Sequence, residues 1–409
     1  MKKFVKWWSE SSLILKILGG IILGAIVALL APKATWIGIL GSLFVGALKA
    51  IAPVLVFVLV ISALANANTG VGKQFRSVIG LYILNTFVAA VLAVVMTKIF
   101  PLTVTLQAAV EQDAPQAVGD VFTTLLNNCV TNPVASIAEG NYLGILVWAV
   151  VFGLALKLIA GDTTKVMLKD FADAITKGVR WVIQFAPVGI FGLVFTAVTE
   201  NGMEIFTEYG KLIALLVGCM AAMAFVVIPL IVFIVLRENP YPLCLKCLKE
   251  SGITAFFTRS SAANIPVNMT LCEKLGLDKD LYSVSIPLGA TINMNGAAIT
   301  ITVLALTAAN TLGVPVSFAS AVILSVLATA SACGASGVPG GSLLLIPLAC
   351  SLFGISNDIA MQMVGVGFII GVIQDSCETA INSSGDVIFA ATAEFYHRKK
   401  AERAAKKNA

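Results

Sequence analysis

The sequence predicts an all-α, polytopic membrane protein, and three observations predict it. Of 409 residues, 58% are hydrophobic and 12% charged, with a mean hydropathy of +0.95, more apolar surface than one soluble domain buries. Apolar runs long enough for a bilayer core of about 30 Å follow one another along the chain. The third observation is a set of carboxylates, Asp375, Glu378 and Asp386, inside the apolar stretch from Gly365 to Glu394. An ionisable group near a bilayer centre costs roughly 2.5–3.5 kcal/mol on insertion scales, so three of them need a reason.

From the N-terminus, runs of spanning length occupy 13–31, 37–65, 77–100, 142–160, 179–199 and 211–236. No evident small-residue cleavage site follows the basic start, so the first run is expected to be retained as a span. Orientation follows from the basic residues. Lys2, Lys3 and Lys6, then Lys73 and Arg76, then Lys157, Lys165, Lys169, Lys177 and Arg180, then Arg237, Lys246 and Lys249 mark cytoplasmic segments. Between Lys98 and Lys157 there is no Lys or Arg, while Glu111, Asp113, Asp120 and Glu139 lie there, so that stretch is expected outside. Both termini come out cytoplasmic, the second held at the anionic leaflet by Arg398, Lys399, Lys400, Arg403, Lys406 and Lys407.

After Pro240 the pattern changes, because small and polar residues interrupt the apolar segments. The first interruption, Thr258 to Pro266, contains Arg259, Ser260 and Ser261 and has cytoplasmic-type charge on both sides, which describes a re-entrant segment. The second, Ala332 to Ser342, contains Val338 and Gly340 and sits in a stretch uncharged from Asp280 to Asp358; it reads as a hairpin entering from outside. Non-helical backbone survives at membrane depth only where protein or a cavity satisfies its N–H and C=O groups, and two such breaks point to a transporter site. Between them, in another span, Asn293 and Asn295 interrupt the apolar run. Amide and freed carbonyl oxygens, with one carboxylate, are hard ligands that suit Na⁺.

On the late stretch, at about 100° per residue with Asp375 at zero, Glu378 falls near −60°, Thr379 near +40°, Asn382 near −20° and Asp386 near +20°. One face carries them all, as a substrate or ion site requires. A structural network of ion pairs is the plainer alternative.

These motifs resemble the dicarboxylate/amino acid:cation symporters, the glutamate-transporter fold, over nearly the whole chain. The resemblance rests on Arg259-Ser260-Ser261, Asn293-Met294-Asn295-Gly296, Gly337-Val338-Pro339-Gly340 and Asp375-x-x-Glu378-Thr379-x-x-Asn382-x-x-x-Asp386. It implies eight spanning helices with two opposed hairpins in inverted repeats, in a homotrimer whose transport domain slides against a scaffold. Scaffold helices would lie in 1–70 and 142–210, and transport-domain helices in 71–141 (with the external loop) and 211–240. The hairpins would lie in 241–280 and 311–357, a broken helix in 281–310, the last helix in 358–396 and a basic tail in 397–409. By the same resemblance Asp375 accepts the substrate ammonium, Asn382 donates to its carboxylate, and Ser261 and Val338 form walls. One Na⁺ site uses Gly289, Asn293, Asn382 and Asp386, and another lies near Thr291. A third has Tyr82, Asn85 and Thr86 as neighbours, but Asn295 stands where the family has an aspartate, which implies one or two sodium ions rather than three. Members that carry acidic amino acids have an arginine where this chain has Glu378. That departure resembles the bacterial sodium:serine/threonine symporters and implies an inner-membrane importer of small hydroxylated amino acids, unless Glu378 merely pairs with Arg259. The alternatives are a Na⁺- or H⁺-coupled carrier of other small neutral amino acids or of dicarboxylates.

Other classes fit less well. The basic residues form no patch interleaved with aromatics, which argues against nucleic acid. His397 is the single histidine, so a histidine-dependent triad or multi-histidine metal centre is excluded. An intramembrane aspartyl protease using Asp375 and Asp386 fails on geometry, since eleven residues of helix separate them by roughly 16 Å. A channel is set aside only through the family resemblance.

Overall fold

The computed structural model describes residues 13–66, 73–106, 127, 129–333 and 339–408, and among them every regular element is helical. Five helical stretches are long and apolar enough to cross a membrane: Thr35–Ala65, Gln74–Ile99, Ala186–Leu236, Lys279–Thr311 and Asn357–Arg403. The segment holding Glu111, Asp113 and Asp120 lies outside the described residues.

The first half comprises α1 (Leu13–Leu30), α2 (Gly38–Ala65), α3 (Lys73–Ile99), α4 (Pro133–Glu139), α5 (Tyr142–Ile159), α6 (Asp162–Gln184), α7 (Ala186–Asn201), α8 (Ile205–Ala222) and α9 (Ile228–Leu236). The run at 179–199 is not one span, which corrects the sequence reading. The chain breaks at Phe185, and Pro187 restarts it in the first turn of α7, where a missing N–H costs nothing. The preceding α6 is amphipathic: Ala172, Thr176, Val179 and Ile183 are buried at i, i+4, i+7 and i+11 and pack on α2, while Lys169, Asp173 and Lys177 stay exposed. Gly202, with φ 69°, ends α7 and divides the 51-residue Ala186–Leu236 stretch.

In the second half, α10 (Tyr241–Cys247), a π-helical turn at Leu248–Gly252 and α11 (Ile253–Thr258) run to a tip at Arg259, from which α12 (Ser261–Lys274) returns. One apolar segment is split into α13 (Lys279–Ile292) and α14 (Asn295–Thr311) by the non-helical pair Asn293 and Met294. The second hairpin is α15 (Phe318–Ala332), a 3-10 turn at Ser342–Leu345 and α16 (Ile346–Ser351); residues 334–338 of its tip lie outside the described residues. Last comes α17 (Asn357–Asn408), 52 residues. At about 1.5 Å per residue it is roughly 78 Å long, so the basic end continues as helix beyond any bilayer core.

Two sets of helices pack mainly among themselves, one made of α1, α2, α5, α6 and α7 and the other gathered on α14 and α17. Glycines let the first set close: a Cβ on Gly20 would lie 2.4 Å from the Pro187 carbonyl oxygen, and one on Gly192 would lie 2.5 Å from the Gly41 nitrogen. Backbone thus meets backbone, as small residues permit in membranes. In the second set every residue of α14 from Asn295 to Ala309 is buried. Glu394, which ends the late apolar stretch, accepts the Asp278 N–H on both oxygens at 3.0 Å and pairs with Arg398. Its charge therefore pins α17 to the turn before α13.

Replacing Gly192 by valine should force α2 and α7 apart at a cost of about 1–3 kcal/mol, typical of overpacking. Gly218→Ala, whose Cβ meets nothing within 4 Å, is the control. Thermal unfolding in detergent should show a lower midpoint for the first only.

Candidate substrate and ion site

The helical period puts the polar stripe of α17 where it was expected: Asp375, Glu378, Thr379, Asn382 and Asp386 are each 5% exposed or less. Two groups of contacts form around it, one at Asp375 and Glu378 and one at Asp386.

The first hairpin tip ends on Asp375, and the second hairpin comes close to it. Arg259 closes α11 in the left-handed conformation, φ 52°, and its Nε donates to Asp375 Oδ2 at 2.6 Å. Their side chains are only 8% and 4% exposed. From the other hairpin the backbone of Gly340 approaches the same carboxylate. Gly340 has φ 74°, and a Cβ there would lie 2.9 Å from the Phe368 ring, so glycine is required twice over. Ser260 caps α12 by accepting the Ala263 N–H at 3.2 Å, and Ser261 is buried beside it. Val338 lies outside the described residues.

The alternative in which Arg259 pairs with Glu378 is not what forms. Glu378 is held instead by three neutral donors on one oxygen, Oε2: Thr300 Oγ1 at 2.7 Å, Ser342 Oγ at 2.9 Å and Gln374 Nε2 at 2.5 Å. Thr379 turns its hydroxyl onto the Asp375 carbonyl at 2.7 Å. Asn382 accepts the Gly296 N–H at 2.7 Å.

Asn293 is the hub of the second group. Its amide nitrogen donates to the Asn382 carbonyl and to Asp386 Oδ1, both at 3.0 Å, and its oxygen accepts from Asn85 Nδ2 at 2.9 Å. Tyr82 donates its hydroxyl to the Asp386 carbonyl at 2.9 Å. Gly289 lets these meet, since a Cβ there would sit 2.8 Å from Asp386 Oδ1 and 3.0 Å from the Tyr82 oxygen. Tyr82, Asn85, Gly289, Asn293, Asn382 and Asp386 are therefore brought together. Thr291 is not among them: it is exposed and bonds Leu288 O at 2.8 Å. Thr86 bonds only its own helix, at Tyr82 O, 2.9 Å away. Asn295 is buried and accepts the Gly296 N–H at 2.9 Å, and its Nδ2 has no partner among the described residues.

Four residues that sequence reasoning passed over adjoin Asp386. Asn264 and Asn268, one turn apart on α12, donate to Ser383 Oγ at 2.8 and 3.0 Å, Ser251 donates to Asn268 at 2.5 Å, and Asn268 Nδ2 lies 3.5 Å from Asp386 Oδ2. The i, i+4 amide spacing was the available signal. Among the described residues no three His, Cys, Asp or Glu side chains cluster as they would for a transition metal. A cation here would rest on one carboxylate, amides and carbonyl oxygens, a donor set for a hard ion.

Residues 13–394 match the sodium:dicarboxylate symporter family. A protein of Bifidobacterium adolescentis named serine/threonine transporter SstT is 61% identical over 390 residues, covering 95% of this chain and 91% of that protein. Proteins of the same name from Streptococcus agalactiae and Streptococcus thermophilus are 61% and 56% identical, each over 96% of this chain and 98% of its own length.

Removing one partner of a buried ion pair costs about 3–5 kcal/mol, whereas replacing both by apolar groups is often neutral. Arg259→Leu should therefore destabilise the protein strongly, and adding Asp375→Leu should recover most of the loss. Thermal unfolding of the purified single and double variants measures it; a double variant no more stable than the single would mean that the pair does not hold the tips.

Proposed function

The chain belongs to the sodium:dicarboxylate symporter family, and from that premise we propose that it imports serine and threonine together with Na⁺. It is a multi-pass membrane protein, and its relatives' names point to a transporter rather than an enzyme. The observation that carries the reading is Asp375, a buried carboxylate bonded by the tip arginine of one hairpin and approached by the Gly340 backbone of the other. A carboxylate has about four acceptor sites, so an ammonium group can join Arg259 and Gly340 there. Release then requires only that one tip withdraw, which suits alternating access.

We assign Asn382, Ser260 and Ser261 to the substrate's carboxylate end, with Val338 as the expected wall. Glu378 opposes a second carboxylate on the substrate, which supports neutral amino acids over dicarboxylates. Na⁺ is assigned to Asp386 with oxygens of Gly289, Asn293 and Asn382, and Tyr82 and Asn85 brace that group. Thr291, Thr86 and Asn295 remain proposed members of further ion sites, with Asn295 arguing for one or two sodium ions. We place eight spanning helices and two hairpins in a bacterial inner membrane, both termini cytoplasmic, in a homotrimer. The packing of α1, α2, α5, α6 and α7 apart from the rest supports their role as the scaffold against which the other set moves.

A zwitterion carries no net charge, so each Na⁺ brings in one positive charge. At 100 mV, inside negative, that contributes about 2.3 kcal/mol, and a tenfold Na⁺ gradient adds about 1.4 kcal/mol, together on the order of 500-fold accumulation for one ion. Proteoliposomes should show Na⁺-dependent, voltage-sensitive serine and threonine uptake that equimolar aspartate inhibits little. Strong competition by aspartate, or flux indifferent to voltage, would contradict the assignment. Asp375→Asn should abolish high-affinity substrate binding, whereas Asp386→Asn should chiefly weaken Na⁺ dependence.

A further inference from the structure

We propose that Thr300, Ser342 and Gln374 are positioning residues that set a preference for hydroxylated over plain small amino acids, by aiming the free oxygen of Glu378 at the substrate's hydroxyl. The inference rests on the transport reading above and concerns what decides selectivity within it.

Three donors from three separate elements converge on Glu378 Oε2: Thr300 from α14, Ser342 from the second hairpin and Gln374 from the preceding turn of α17, at 2.5–2.9 Å. Gln374 also donates to Thr300 Oγ1 at 2.7 Å, so the donors are tied to one another. A glutamate has three side-chain torsions, and bonds from three directions leave its carboxylate one orientation. All the donors fall on one oxygen; among the described residues none reaches Oε1.

Glu378 lies one turn from Asp375 on the same buried face. Three residues of helix rise about 4.5 Å, so an amino acid anchored by its ammonium at Asp375 brings a short side chain to Oε1. Serine and threonine carry a donor at that distance; alanine does not. A charge-assisted hydrogen bond is roughly twice as strong as a neutral one, and a site built around it discriminates against the analogue that leaves its acceptor unpaired.

The test compares Na⁺-driven uptake of serine and alanine in proteoliposomes for the wild type, Thr300→Val, Ser342→Ala, Gln374→Leu, Glu378→Gln and the double variant Thr300→Val/Glu378→Gln. Each positioning variant should lower the serine-to-alanine ratio of kcat/KM about tenfold, equal to about 1.4 kcal/mol. The double variant should lower it no further than Glu378→Gln alone, because Thr300 acts through Glu378. Parallel loss of both substrates, unchanged ratios, or additive losses in the double variant would overturn the proposal. Where a variant moves neither substrate, the same ratio is read from the thermal shift each amino acid gives the purified protein. A wild type without Na⁺-dependent serine uptake would overturn the transport reading itself; a wild type that transports serine beside variants with unchanged ratios would overturn only this inference.

Discussion

The ion pair between Arg259 and Asp375 is the contact on which the rest of this architecture depends. Two charges taken out of water recover their desolvation cost only when geometry is close and the remaining donors and acceptors find partners. Here that requires a hairpin tip to be carried into the interior, because Arg259 leaves α11 with a left-handed backbone and Ser260 must begin α12 at once. The inner face of that hairpin is held by amides rather than apolar packing alone, through Asn264, Asn268 and Ser383. The opposing hairpin reaches the same carboxylate with the Gly340 backbone. An α17 that carries Asp375 between the two hairpins meets all of these demands.

The break between α13 and α14 follows the same logic of satisfied groups. Unwinding a helix at membrane depth frees backbone donors and acceptors that must be paired inside the protein. Asn382 accepts the freed Gly296 N–H, and Asn293 donates back to the Asn382 carbonyl. Asn382 thus covers backbone opened beside Asn293, and Asn293 ties the break to a carbonyl of the unbroken α17. The approach this needs is allowed by Gly296, where a Cβ would lie 2.8 Å from Glu378 Cα, and by Gly385, where one would lie 2.7 Å from Asn293 Nδ2.

The polar face of α17 was legible in the sequence because helical period alone fixes which residues share it, and the two interruptions were legible because serine, proline and glycine stand where a span wants leucine. Which charge meets which was not. Asp375 and Glu378 are one turn apart, so either was within reach of a tip arginine, and only the three neutral donors already on Glu378 show why Arg259 goes to Asp375. Thr300, Ser342 and Gln374 gave no signal, since hydroxyls and a lone amide in apolar helices usually bond their own backbone, as Thr379 does. The helix α6 was hidden by a different effect: its charges read as a loop, and the apolar half of its face merged with the run that becomes α7.

The two acidic ends of the stripe differ in the company they keep, and that difference separates the roles proposed for them. Asp375 has a guanidinium within hydrogen-bonding distance, so its charge is balanced by the chain itself. A zwitterion arriving there adds one ammonium and one carboxylate and leaves the balance unchanged. Among the described residues Asp386 is bonded by neutral groups alone: the Asn293 amide on its carboxylate, the Asn268 amide at 3.5 Å and the Tyr82 hydroxyl on its carbonyl. In a medium of low dielectric constant such donors lessen the cost of a carboxylate without cancelling its charge. On the proposed reading the position favours a monovalent cation, and because the groups bonded to it among the described residues are neutral, that cation could leave without stranding a second charge. The proposed coupling of a neutral substrate to an ion would use this division of labour: a carboxylate with a resident counter-charge for the substrate, and one without for the ion.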